Sequence, residues 1–192
     1  MTWKGAKPRN KEDLTTLDNE ELFSRVKSDD RCVQDLSRRV LIERKKQVIP
    51  LLQQWAEKTG NAFELLQVIW LQQAMDAVDT TQLQSLVVCN DPRVRAAAIR
   101  IVSDLADPET DLANPLARAL AMLIYQKAIN DEHPRVRLEA IRGLGKLNSA
   151  EAARIALESL NHPRDRFIDF ALATTMDELT VPFMAALDSG QW

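Results

Sequence analysis

A repeated frame constrains this chain more than any other feature. Asn90–Leu105 reads NDPRVRAAAIRIVSDL and Glu132–Leu147 reads EHPRVRLEAIRGLGKL. Both carry Pro-Arg-Val-Arg-x-x-Ala-Ile-Arg, 42 residues apart. A looser copy, NHPRDRFIDFALATTM, starts at Asn161, 29 residues after the second. Self-similarity at such spacing marks stacked repeats, because one short unit cannot bury its own apolar face and needs a neighbour.

Each copy predicts the start of a helix. Pro92, Pro134 and Pro163 stand where a first helical position tolerates a missing N–H. Asp91 is a good N-cap, and His133 and His162 take the same place in the other copies. Val94, Ala98, Val102 and Leu105 fall on one face, and Val136, Ala140, Leu144 and Leu147 repeat it, the three- and four-residue spacing of an amphipathic helix.

A second helical segment precedes each copy: Thr81–Val88, Pro115–Ile129 and Ala150–Leu160. The unit is a helix pair, A then B. Reading backwards gives two degenerate pairs, Gln47–Lys58 with Phe63–Val78, and Asn19–Lys27 with Arg31–Arg44. Asp18 and Glu21 have capping-box spacing before the first. Val181–Leu187 reads as a lone closing helix. Helix A starts near residues 19, 47, 81, 115, 150 and 181, a period that belongs to α-solenoids. The expected fold is all-α: five antiparallel helix pairs plus a closing helix over residues 17–192 as one domain. Residues 1–16 read as an extended lead-in. The acidic connection Ala106–Asn114 reads as a surface loop and the best place for a bend.

Composition agrees. Apolar residues make up 45% and charged residues 28%, a globular balance rather than a disordered one. Only five glycines and 5% aromatics argue against an all-β fold. The net charge of −3 removes a whole-chain basic footprint for nucleic acid, although residues 1–46 hold 12 Lys/Arg against 9 Asp/Glu. No apolar run reaches the ~18–20 residues of a membrane span, and MTWKGAKPRNKEDL lacks the apolar core of a signal peptide. The expectation is a soluble chain that binds neither cofactor nor metal.

The arginines are the candidate functional groups. Arg95, Arg137 and Arg166 share one repeat position and predict a structural ladder, each bridging to a carboxylate of the adjacent unit. Arg93, Arg100, Arg135 and Arg142 fall on the exposed side of their helices and form a candidate interaction face. Such a stripe could bind anions or phosphates, but Asp104, Asp131 and Glu139 dilute it and no aromatics interleave.

In the third copy Asp165 and Asp169 replace core Val and Ala. Buried carboxylates are costly unless paired. Either Arg137, Arg142 or Arg166 reaches them, or Phe167 and Phe170 take the inward face and both aspartates are exposed. A catalytic dyad is the enzyme reading, but no His, Ser elbow or Gly-rich loop accompanies it. His133, His162, Cys32 and Cys89 lack metal-site spacing and read as turn and helix residues. Trp55 and Trp70 read as core. Trp3 and Trp192 lie near the termini and are candidate inter-domain contacts.

The frames DPRVRAAAIR and HPRVRLEAIR resemble HEAT repeats. Further stretches, TWKGAKP at Thr2–Pro8, EELFSRVKSDD at Glu20–Asp30, SRRVL at Ser37–Leu41, VIWLQQAMDAVD at Val68–Asp79 and NHPRDRFIDFAL at Asn161–Leu172, resemble the HEAT-repeat region of PVC-type haem-binding, membrane-bound-dehydrogenase-like proteins. In that family the helical array follows a β-propeller dehydrogenase-like domain and precedes a cytochrome-c-like domain, and the parent proteins are typically exported to the periplasm or cell envelope. The resemblance implies a non-catalytic scaffold or spacer with those domains as partners. It carries over no catalytic or haem-binding residue, because the CxxCH motif and the propeller are not in this sequence.

Overall fold

The computed structural model describes residues 13–107, 115–190 and 192. Among them there are eleven α-helices and no strand. They are α1 (Asn19–Arg25), α2 (Arg31–Glu43), α3 (Lys45–Lys58), α4 (Ala62–Ala74), α5 (Thr80–Val87), α6 (Pro92–Leu105), α7 (Pro115–Ala128), α8 (Pro134–Gly145), α9 (Ala150–Leu157), α10 (Arg166–Glu178) and α11 (Thr180–Asp188). Every predicted pair is present, and α11 closes the series.

The helix starts follow from side-chain caps. The Asp18 carboxylate accepts from the Glu21 N–H at 2.8 Å, and the Glu21 carboxylate accepts from the Asp18 N–H at 3.2 Å, completing the capping box. Asp30, Asp79 and Asp91 cap α2, α5 and α6, and Ser149 caps α9. His133 caps α8, its Nδ1 accepting from the Arg135 N–H at 3.2 Å. Each cap satisfies an N–H that the first helical turn leaves unpaired.

The chain divides into two compact units, one running up to Gly60 and resuming at Gln67–Val78, the other comprising Asn61–Leu66 and the chain from Asp79 onward. In the first, Leu22, Phe23 and Val26 of α1 and its C-cap meet Leu41, Val48, Leu52, Val68, Leu71 and Met75 in one buried cluster. Trp55 lies against Phe23 with ring centroids 3.7 Å apart. Trp70 is half-buried beneath the Arg38 guanidinium. The end of the expected lead-in is structured: Leu14–Thr16 form a 3-10 turn, with Leu14 buried. Arg44 holds it, donating to the carbonyls of Thr15 and Leu17 at 2.7 and 2.9 Å. That fixed turn replaces an extended run because Leu14 has a core to enter.

In the second unit α6 packs on α8, and α8 on α10, more extensively than any other pair. Residues at similar depth past their caps meet across these contacts. Lys146 of the α8 end pairs with Asp104, its counterpart on α6, at 3.4 Å. The Thr175 hydroxyl donates to the Ile141 carbonyl at 3.0 Å, both buried. The three B helices therefore run side by side in the same direction. Their buried stripes are those the spacing predicts: Val94, Ala98 and Val102, then Val136, Ala140 and Leu144.

The third copy departs from the predicted register. Helix α10 starts at Arg166, three residues past Pro163, and its N-cap is Asp165. Asp165 thus stands where Asp91 and His133 stand, not in a core position. Its carboxylate accepts from the N–H groups of Phe167 and Ile168, each at 2.9 Å. Ile168, Ala171, Leu172 and Thr175 form the buried stripe. Before Asp165 the chain makes a 3-10 turn over Glu158–Asn161 and passes Pro163 unwound. Most of the expected bend at Ala106–Asn114 lies outside the described residues, as does Trp3.

Candidate functional site

Two sets of arginines leave the B helices in opposite senses. Arg95 turns inward at the N-terminal end of α6, only 11% exposed. Its Nε and Nη2 donate to the two Asp131 carboxylate oxygens, both at 2.9 Å, and its Nη1 donates to the carbonyls of Cys89 and Asn90. One guanidinium fork therefore closes its own A–B turn and grips the next. The Asp131 hydrogen bond holds Arg95 above its ordinary pKa, outweighing partial desolvation. Arg137 repeats the arrangement one unit on, donating to the carbonyls of Asp131, Glu132 and Pro163. Its far partner is a carbonyl rather than the expected carboxylate.

Arg166 takes no such place. It is exposed, with its guanidinium over the Phe167 ring at 4.7 Å. The shifted start of α10 puts Asp169, not Arg166, at the position of Arg95 and Arg137. Asp169 is exposed and pairs with Arg164 at 3.4 Å. None of Arg137, Arg142 and Arg166 forms an ion pair with Asp165 or Asp169 among the described residues. Asp165 is exposed as well and is occupied as a cap. The two aspartates therefore form no buried pair, because neither enters the core. Phe167 and Phe170 do not take the inward face either; they are 58% and 74% exposed.

The second set points outward. Arg93, Arg100, Arg135 and Arg142 are all exposed. Arg93 closes on Asp91 of its own cap at 2.7 Å. Arg135 and Arg142 share one carboxylate, that of buried Glu139, at 3.9 and 3.5 Å. Arg100 has no carboxylate partner among the described residues. Between α6 and α10, with α8 as its floor, lies a groove of about 630 Å³. Arg100 and Arg142 line one side, and Phe167, Phe170 and Thr174 line the other. Asp104, Lys146 and Glu178 close the end nearest the helix C-termini.

The groove floor depends on close packing. Gly143 faces Ser103 of α6 and Tyr125 of α7, and a Cβ there would stand 2.5 Å from the Ser103 hydroxyl and 2.5 Å from the Tyr125 ring. The Tyr125 hydroxyl donates to Ser103 Oγ at 2.9 Å, and burial raises its pKa. On the A-helix side a second groove, of about 650 Å³, includes the exposed Val88 and Leu123.

The remaining candidates do not gather. His162 meets Asn130 at 2.9 Å, and His133 is a cap. Cys32 and Cys89 are free thiols. Among the described residues no three His, Cys, Asp or Glu side chains are arranged to hold a metal ion, and no helix is long and apolar enough to cross a membrane. Trp192 packs edge-on against Phe183, centroids 4.7 Å apart, and is half-exposed.

Sequential helix pairs, each hiding its apolar stripe against the next, define an α-solenoid, a class of helical-repeat scaffolds and protein-interaction modules. Residues 80–176 match the HEAT repeats, half of the chain, and the chain belongs to that family. No curated protein matches it.

The sequence places Arg93, Arg100, Arg135 and Arg142 on the exposed side of their helices, as observed, but does not anticipate the exposed Phe167 and Phe170. The signal was present: Ile168, Ala171, Leu172 and Thr175 have i, i+3, i+4, i+7 spacing, which turns Phe167 and Phe170 outward. Aligning Pro163 with Pro134 concealed it.

Proposed function

We propose that the chain is a protein-docking module and that the groove across α6, α8 and α10 receives a segment of its partner. One observation carries this reading: two large aromatic side chains lie open to solvent across the groove from the Arg100 and Arg142 guanidinium groups. Aromatic residues and arginine dominate the energetics of protein interfaces. Adjacent exposed apolar side chains rimmed by polar groups mark interaction sites, whereas scattered single ones do not.

Immobilised protein, challenged with extract of its source organism, tests this. Partners retained by the unaltered chain are lost with Phe170→Asp and kept with Leu123→Asp, which alters the other groove. Equal retention by Phe170→Asp removes the reading.

In its wider setting the module serves as a spacer within a larger, exported, haem-containing dehydrogenase-like protein, between a propeller and a cytochrome-c-like domain. The motif resemblances at Thr2–Pro8, Glu20–Asp30, Val68–Asp79 and Asn161–Leu172 support this, and half-exposed Trp192 would suit a domain contact. The adjoining coding sequence decides it: a propeller upstream and a CxxCH downstream are expected, and their absence overturns the context. Binding of anions or nucleic acid through Arg93, Arg100, Arg135 and Arg142 is the weaker reading. Three of the four already face a carboxylate.

A further inference from the structure

We infer that the occupant of the α6–α8–α10 groove is an acidic amphipathic segment of a protein, with carboxylates on one face and large apolar side chains on the other. This rests on the groove being a docking surface and adds the chemistry of what docks.

Charge on one wall calls for carboxylates in the occupant. Among the described residues Arg100 has no carboxylate partner, and Arg142, the other arginine lining the groove, reaches only Glu139, at 3.5 Å, which it shares with Arg135 outside the groove. That carboxylate, Glu139, is buried and is not offered to a partner. Arg100 on α6 therefore presents an unfilled guanidinium fork along the groove, with the partly occupied Arg142 of α8 beside it. Such a fork matches a carboxylate with two parallel hydrogen bonds. A basic segment would set its cations against these guanidinium groups, and like charges brought together in an interface are strongly disfavoured.

The opposite wall calls for apolar side chains. Phe167 and Phe170 are three residues apart and so are neighbours on α10. They stand across the α8 floor from Arg100. A segment that filled only the charged wall would leave both rings wet. A segment with an apolar face covers them and contributes the larger share of affinity, since buried aromatics are the usual anchors and rim charges mainly steer.

The width of the groove suits a helix. Neighbouring helices pack ~8–10 Å apart, so the walls on α6 and α10 are separated by roughly two such spacings. A helix with side chains is ~10–12 Å across and fits over the α8 floor. Helix-in-groove recognition uses apolar anchors at i, i+3 or i+4 and i+7. Nucleic acid fits less well: the cations lie on one wall only, Asp104 and Glu178 close one end, and the aromatics are not interleaved with the cations as base-stacking platforms require.

The test uses the full chain and labelled synthetic peptides of about four helical turns. The first peptide carries Glu on one face and Leu or Phe on the other. A second replaces each Glu by Lys, a third replaces the apolar residues by Ser, and duplex DNA is the fourth probe. Fluorescence anisotropy is expected to show saturable binding of the first, with the second and third weaker by at least about tenfold. Arg100→Glu and Phe170→Ala should each weaken the first peptide severalfold, and Leu123→Asp should not. Circular dichroism verifies that these surface variants keep their helices. Equal or tighter binding of the Lys peptide, tighter binding of DNA, or indifference to both Arg100→Glu and Phe170→Ala overturns the inference. If a native partner is lost with Phe170→Asp yet no acidic peptide binds, this inference fails while the docking reading stands. If no native partner is lost with Phe170→Asp and no acidic peptide binds, both fail.

Discussion

Arg95 illustrates how one side chain sets the spacing of a repeat. Its fork spans two turns at once, satisfying the Cys89 and Asn90 carbonyls and both Asp131 oxygens. Position within the frame decides whether an arginine does this or faces solvent. The cap beside it makes a testable electrostatic point. The Arg93 side chain, hydrogen-bonded to Asp91, and the Arg93 N–H hold that carboxyl at a pKa of about 2. An unfolded aspartate titrates near ~3.9. Because the folded value is depressed, the cap's contribution is complete above the unfolded pKa and is lost as pH falls towards about 2. Carboxyl NMR should find the Asp91 midpoint near 2, and Arg93→Gln should move it upward; an unmoved midpoint would show that the backbone N–H alone sets it. Gly143 gives a steric counterpart. Gly143→Ala forces its methyl into Ser103 and Tyr125, both buried, and should cost about 1–3 kcal/mol in chemical denaturation, as overpacking does. Gly145→Ala clashes with the end of the Glu178 side chain, which can swing aside, and otherwise meets the Thr175 hydroxyl at ordinary contact distance, so it should cost far less.

At the scale of the element, α10 shows what was legible and what was not. The α6 and α8 starts could be read from proline and cap because each proline sits directly after its capping residue. In the third copy the same triplet recurs, but the better cap lies three residues on. The Asp165 carboxylate takes two N–H groups and wins the helix start. The resulting rotation exposes the two phenylalanines and removes Arg166 from the arginine series. The residues around the groove were thus half legible: the cationic wall followed from the strict copies, and the aromatic wall depended on a competition between two caps that pattern alone did not rank. Asp165→Ala should therefore cost about 1 kcal/mol of stability, and Pro163→Ala should be nearly neutral. Were Pro163 the true start, thermal denaturation would rank the two variants the other way.

At the scale of the whole molecule, the two compact units differ in how their helices find partners. The unit up to Gly60 and over Gln67–Val78 gathers one core from α1, α2, α3 and the later part of α4. The unit from Asp79 onward is built by neighbour contacts: α8 touches α6, α7, α9 and α10, whereas α11 packs mainly on α9 and α10. That nearest-neighbour pattern is what the 42-residue copy encodes, because each stripe has a partner only in the adjoining repeat. Stability in this unit should then be local at its edge and shared at its centre. Leu144→Ala, at a fully buried site on α8, should cost about 2–5 kcal/mol and lower hydrogen-exchange protection across α6, α8 and α10 together. Phe183→Ala should instead release Trp192 and lower protection only in α11 and its contacts with α9 and α10. Hydrogen exchange read by mass spectrometry separates the two outcomes. If Phe183→Ala lowered protection as far away as α6, the unit would unfold as one closed core, and the neighbour-by-neighbour account of its repeats would be wrong.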